Sequence, residues 1–310
     1  MKVSRDLREV TKSNKTVLTV GTFDGVHKGH HLLLDILIEK AKKSGGRSLV
    51  ITFDPHPRQV VVKGGDIILL TTTGEKLRIF EKLGIDEVFV INFTLEFSEF
   101  DAETFFSKYI IDGTGIEEII VGYDHRFGRG RTGDENFIRQ LADKHGFKVT
   151  YVEAVMRNQI NISSTQVRKL LSEGNVKGAA EMLGRDYEIF GEVVHGDKRG
   201  RELGYPTANL ECDSENKLLP ANGVYAVMVE LDDKVYKGML NVGRRPTFNL
   251  KDLAVEVHLL GFSGEDLYGK NLRVKFIERI RGEMRFIAKS DLIIQLEKDK
   301  TSALELLKDL

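Results

Sequence analysis

A chain of 310 residues, 41% hydrophobic and 30% charged, has the composition of an ordinary globular protein long enough for two domains. Its net charge of −1 supplies no overall positive field for nucleic acid or an anionic membrane, and no stretch approaches the roughly 18 apolar residues of a membrane span. The lone cysteine, Cys212, excludes an intramolecular disulfide and a cysteine-rich zinc site; with an N-terminus lacking an apolar leader core, this predicts a cytoplasmic protein.

The first half alternates between two periods. Short β-rich runs at 17–20, 48–53, 87–92, 118–122 and 148–155 predict strands, and the longer segments 30–43, 74–83, 101–111 and 134–145 predict helices between them. Such alternation implies βαβ units and a parallel sheet covered on both faces. The first helix is apolar through Leu32, Leu33, Leu34, Ile36, Leu37 and Ile38, and the run Ser44, Gly45, Gly46 is expected to stop it. Beyond residue 183 the helical pattern gives way to short strands at 187–194, 223–231, 234–242, 254–260 and 271–280, with a tight turn expected at Asp232-Asp233. One amphipathic segment, 291–307, reads as a closing helix. The expected architecture is an α/β domain over 1–183 followed by a small antiparallel β-barrel domain with a C-terminal helix over 184–310.

The stretch GTFDGVHKGH, residues 21–30, follows the first strand, on the sheet edge where open α/β folds bind ligands. Gly21, Gly25 and Gly29 allow close backbone approach, and the helix N-terminus that follows suits phosphate. His27 and His30 lie three apart and can donate hydrogen bonds to phosphoryl oxygens there; a histidine-bearing turn, or a zinc pair with His31, is the competing reading. In ISSTQVRKLL, 162–171, Ser163 and Gln166 fit a capping box, but Arg168 near a helix start opposes the dipole unless an anion is shared between them. FDPHPRQ (53–59) and VGYDHRFGRGRTGD (121–134) follow strands on the same edge, as ligand loops or as solvated surface.

The second half carries HGDKRGRELGYPTANL, 195–210. Gly196, Gly200 and Gly204 make a flexible loop bearing Lys198, Arg199 and Arg201, a plausible phosphate cover. Pro206 disfavours helix at Tyr205, and in an extended segment Thr207 and Asn209 project from one face with oxygen donors suited to Mg²⁺, unless they are simply a polar strand face. In AVEVHLL, 254–260, Glu256 and His258 alternate against Val255, Val257 and Leu259; the carboxylate is either a solvated strand residue or a general base.

In order along the chain, GTFDGVHKGH, FDPHPR, VGYDHRFGRGRTGD and ISSTQVR resemble the adenylyltransferase half of the bacterial bifunctional riboflavin kinase/FAD synthetase family. GRELGYPTANL, NGVYAVMV, NVGRRPTF, VEVHLL and DLYGKNLRVKFIERIRGEMRF resemble its kinase half. The resemblance implies a Rossmann-like nucleotidyltransferase domain that moves AMP from ATP to FMN. It also implies a six-stranded barrel that phosphorylates riboflavin. By it, His27 and His30 stabilise the reacting phosphates, while Gly21, Thr22, Phe23, Gly29, Asp124, Ser163, Ser164, Thr165 and Arg168 hold nucleotide and triphosphate. Gly196, Lys198, Gly204, Thr207 and Asn209 bind Mg²⁺–ATP and flavin, and Glu256 is the base. Riboflavin, FMN and ATP are then substrates, and flavin is substrate and product rather than prosthetic group; no nucleic-acid or membrane partner is implied. Thr22 stands where many members have asparagine, and His125 where phenylalanine is usual. Two alternatives are a single nucleotidyltransferase with another acceptor and a flavin-binding regulator with dead sites. The intact PTAN segment and downstream glutamate argue against the first, and the retained histidines and glutamate against the second.

Overall fold

The computed structural model describes residues 1–62, 67–123, 127–157, 160–196, 204–214, 216–244, 253–263 and 266–310. The chain divides into two compact units, Met1–Ser163 and Ser164–Leu310.

The first unit is built on six parallel strands: β1 (Lys2–Ser4), β2 (Thr16–Val20), β3 (Arg47–Asp54), β4 (Glu87–Asn92), β5 (Glu118–Gly122) and β6 (Lys148–Val152), in the order β1-β4-β3-β2-β5-β6. Period-two alternation sends successive side chains to opposite faces, so one β-branched run feeds two cores. Leu18, Val20, Leu49, Ile51 and Ile119 pack in one cluster with Phe106, Ile138 and Phe147. Val17, Val50, Val88 and Ile120 pack in the other with Leu34, Leu37 and Phe80. The latter cluster is covered by α1 (Lys28–Ser44) and α3 (Thr73–Leu83), with α2 (Pro57–Val61) a short turn between them. Gly45 ends α1 in the left-handed conformation at φ 63°, as the Ser44–Gly46 run predicts. A capping box between Thr72 and Glu75 starts α3.

The opposite face is covered by α6 (Glu135–His145) and by a segment that differs from the expected helix at 101–111. There, α4 (Leu95–Ser98) and α5 (Ala102–Phe105) are single turns, and the chain continues from α5 as a π-helix over Phe106–Thr114. The expected strand at 148–155 stops at Val152; a two-residue hairpin, β7 (Met156–Arg157) and β8 (Ile160–Asn161), follows.

The second unit begins with α7 (Ser164–Ser172) and α8 (Val176–Leu183). The strands β9 (Tyr187–Val194), β10 (Ala208–Cys212), β11 (Gly223–Leu231), β12 (Lys234–Arg244), β13 (Leu253–Leu259) and β14 (Asn271–Arg281) then close into an antiparallel barrel in the order β10-β13-β12-β11-β14-β9. Asp232 at φ 53° makes the expected tight turn, with Leu231 and Lys234 paired across it. Val255, Val257 and Leu259 are buried, while the opposite barrel face presents Ala226 and Met239 to Ala303 and Leu307, the last just beyond α9 (Lys289–Leu306). Arg281 pins α9 with a bidentate bridge to Asp299, which is 1% exposed. Among the described residues no helix is long and apolar enough to cross a membrane.

Candidate active sites

The strand order of the first sheet reverses between β2 and β5, so their carboxyl ends open the crevice where such sheets bind ligands. GTFDGVH leaves the sheet there and turns directly into α1. His27 caps that helix: its Nδ1 accepts the His30 backbone N–H at 3.4 Å. An acceptor Nδ1 in a neutral ring puts the proton on Nε2, making the ring's other edge a donor. The His30 ring stacks on His27 with centroids 3.7 Å apart and planes 16° from parallel, and its other side meets the edge of Phe23 at 5.2 Å. Gly29 permits this, because a Cβ there would lie 3.1 Å from the His27 ring. Parallel stacked rings keep their in-plane lone pairs in separate planes, a poor arrangement for one shared metal ion. Among the described residues no three His, Cys, Asp or Glu side chains gather as a metal-binding set.

No acidic residue occupies the first turn of α1, which carries Lys28 and His30 instead, so the partial positive charge of the helix end is left for an anion. Gly21 and Thr22 enter the turn; Phe23, Gly25 and Val26 run at φ of 48°, 83° and 38°. Ile162 donates its N–H to the Val155 carbonyl, and its own oxygen lies 3.8 Å from where a Gly29 Cβ would sit, so the chain reaches Ser163 beside the start of α1. Ser164, Thr165 and a half-buried Arg168 lie in α7 of the second unit. Asp124 and His125 lie outside the described residues. His56 of FDPHPR acts locally, forming a capping box with Gln59 at the start of α2.

In the barrel unit the register settles which way Glu256 points. Its cross-strand partners are Asn209 on β10 and Asn241 on β12, so the three form a row on the face opposite Val255 and Val257. This is the outer face, not the barrel interior. Asn209 is nonetheless 8% exposed, because the Gly196 backbone passes over it so closely that a Cβ would collide with its amide. Thr207 lies one residue before β10, held by a small truss. His258, on the Glu256 side of β13, engages the Pro206 carbonyl through Nδ1 at 2.7 Å; a carbonyl only accepts, so Nδ1 carries the proton. Tyr205 packs edge-on against His258 at 5.4 Å and donates its hydroxyl to Glu297 of α9. Burial first, and that hydrogen bond second, push the Tyr205 phenol up to about 12. Gly204 sits at φ 81° as the chain enters this segment, and Lys198 lies outside the described residues.

Sequence reasoning passes over Asp24 of the turn and over Thr71 and Lys76, which contact it; all three are buried at 3–4% exposure. The only sequence signal is that Lys76 falls on the face of α3 that also carries Ile79 and Phe80.

These features define a chain with two nucleotide-handling transferase modules, one on a parallel sheet and one on a closed barrel. The FAD synthetase family matches residues 9–166 and the riboflavin kinase family residues 183–307. The bifunctional riboflavin kinase/FMN adenylyltransferase of Escherichia coli strain K12 is 36% identical over 308 residues, covering 98% of this chain and 97% of its own. The enzyme of the same name from Listeria monocytogenes is 36% identical over 94% of this chain and 92% of its own. A crystal structure from Streptococcus pneumoniae described as a macrolide-efflux protein superposes with a TM-score of 0.88 at 30% identity, covering 97% of each chain. The chain belongs to the bifunctional riboflavin kinase/FMN adenylyltransferase family and is an enzyme with both activities.

Proposed function

We propose that residues 1–183 transfer the adenylyl group of ATP to FMN, and that residues 184–310 first make that FMN from riboflavin. In the first reaction an FMN phosphate oxygen attacks the α-phosphorus of ATP, the bond to the β-phosphate breaks, and pyrophosphate leaves. No protein nucleophile is needed; rate comes from positioning and from stabilising charge on the phosphates. His27 and His30, at the N-terminus of α1, whose first turn carries no acidic residue, supply donors for that charge. Gly21, Thr22, Phe23 and Gly29 shape the cradle, and Asp124, Ser163, Ser164, Thr165 and Arg168 complete the nucleotide site.

In the second reaction the riboflavin 5′-hydroxyl oxygen attacks the γ-phosphorus, its proton passes to Glu256, and ADP leaves. Thr207 and Asn209 offer a hydroxyl and an amide oxygen, a hard-donor pair that fits Mg²⁺. The ion, bound with ATP, would neutralise developing charge. Gly196 closes over Asn209, and Lys198 and Gly204 are assigned to ATP and flavin binding in this reading. The reading includes a cytoplasmic location, where ATP and free flavins meet.

The observation that carries this is the cross-strand pairing of Asn209 with Glu256, an amide oxygen and a carboxylate on neighbouring strands, which supports the reading of one as a metal-binding group and the other as the base. A second reading, efflux as in the description of the S. pneumoniae structure, draws no support from either family match. The test is chromatography of the full chain incubated with ATP and Mg²⁺, with riboflavin in one tube and FMN in another. FMN and then FAD from riboflavin support the whole proposal. FAD from FMN but nothing from riboflavin removes the kinase half, and conversion of neither overturns both.

A further inference from the structure

The turn that carries His27 is held in an unfavourable backbone shape by contacts from the entry to α3 and its first turns. Phe23 and Val26 take φ values of 48° and 38°, where side chains are disfavoured and β-branched ones most of all. Their side chains are 3% and 0% exposed. Against the back of the turn lies the entry to α3. Asp24 Oδ1 accepts the backbone N–H groups of Leu70 at 3.0 Å and Thr71 at 3.1 Å, and Gly25 N–H donates to Thr71 Oγ1 at 2.9 Å. Lys76, 4% exposed, donates from Nζ to the Thr22 carbonyl at 3.1 Å and reaches Thr52 Oγ1 at 3.5 Å. Burial lowers the affinity of this ammonium for its proton, while the carboxylates of Asp24 and Asp54 raise it.

A buried lysine is a poor choice for stability alone, because an unbranched apolar side chain fills the same space without desolvating a charge. Its placement has another use. The ammonium grips the first carbonyl of the turn, and its charge offsets carboxylates that otherwise stand behind a site meant for a triphosphate. We propose that Lys76, together with Thr71, is a positioning residue for adenylyl transfer: the pair locks the 22–26 turn so that His27 and the N-terminus of α1 meet the phosphates in one fixed geometry. The proposal rests on the assignment of that turn as the phosphate site.

The experiment compares K76M, K76R, T71V and H27A in the full chain, measuring kcat and KM for both activities. K76M is expected to lower the adenylyl transfer kcat about 10- to 100-fold and to raise KM for ATP, the scale of a misplaced catalytic group. Riboflavin phosphorylation stays within about twofold, and K76R, which keeps the charge, recovers part of the loss. A folded K76M with wild-type adenylyl transfer constants overturns the proposal. If K76M fails to fold, T71V decides: a fall in adenylyl transfer kcat supports the clamp, and an unchanged kcat overturns it. H27A separates the two levels. Full adenylyl transfer in H27A means the turn is not the phosphate site, whereas loss in H27A with none in K76M refutes the role of Lys76 alone.

Discussion

The imidazoles of the first unit hang on a turn with Phe23, Gly25 and Val26 at positive φ, whereas Asn209, Glu256 and Asn241 of the second stand in line because three strands place them there. A turn of the first kind has a strain cost of about 1–3 kcal/mol per non-glycine residue and keeps its shape only while outside contacts hold it. A strand row needs no such help, since ladder hydrogen bonds fix backbone and side-chain spacing together. The first site should therefore be sensitive to changes beneath it. The second should be sensitive mainly to the polar groups themselves and to the segment, Tyr205 to Thr207, that lies outside the ladder.

The largest expected effect tests the row. Glu256→Gln keeps shape and burial but cannot take a proton, so FMN formation should fall by about 10³-fold, within the range of lost general-base catalysis. FAD formation from supplied FMN should continue; loss of both activities would mean the two sites are not independent. Next is His27→Ala, which should reduce adenylyl transfer at least ~100-fold, the scale of losing a preorganised donor, while kinase turnover stays near normal.

A smaller effect is expected at the truss. His258→Phe keeps a ring against Tyr205 but leaves the Pro206 carbonyl without its donor. One such hydrogen bond contributes about 1 kcal/mol, so KM for ATP in the kinase reaction should rise about fivefold with adenylyl transfer unchanged. An unaltered KM would confine His258 to packing. The smallest effect appears only in alkali. Tyr205 and Tyr225, desolvated in the barrel unit, are each pushed up from 10.0 to about 12. Because the fold holds these protons more tightly than the unfolded chain does, their contribution to stability is complete below pH 10 and declines as pH rises towards 12. Burial also pushes up the phenols of Tyr109 and Tyr151, so ultraviolet titration should show Tyr205 and Tyr225 among the late-ionising tyrosines, and Tyr225→Phe should remove one of them.

Much of this architecture is legible in the sequence. The alternation of short β-branched runs with amphipathic segments marks the parallel sheet, and Gly45 marks the end of α1. The glycines and histidines of 21–30 point to the crevice between β2 and β5 because that turn follows the first long strand. Four features stay hidden. β1 is three residues long and has no periodicity to detect. β10 follows a proline and carries polar side chains, so it reads only as an extended piece. The direction of Glu256 depends on which face of β13 meets the barrel interior, and alternation by itself leaves both faces equivalent until strand pairing is known. Lys76 is invisible for a further reason: a lysine in an amphipathic helix is ordinarily a solvated residue, and only the fold reveals that its amine ends under another loop.

The ends of the first sheet also bear on solubility. Among the described residues the closed barrel pairs each of its six strands on both sides, but an open sheet always exposes edges. Here one edge is β1, a strand of three residues beginning with Lys2, and the other is β6, which begins with Lys148. Short length and lysine both discourage a second copy from docking its own strand alongside. At these two edges of the six-stranded sheet, strand length and charge therefore work against edge-to-edge association.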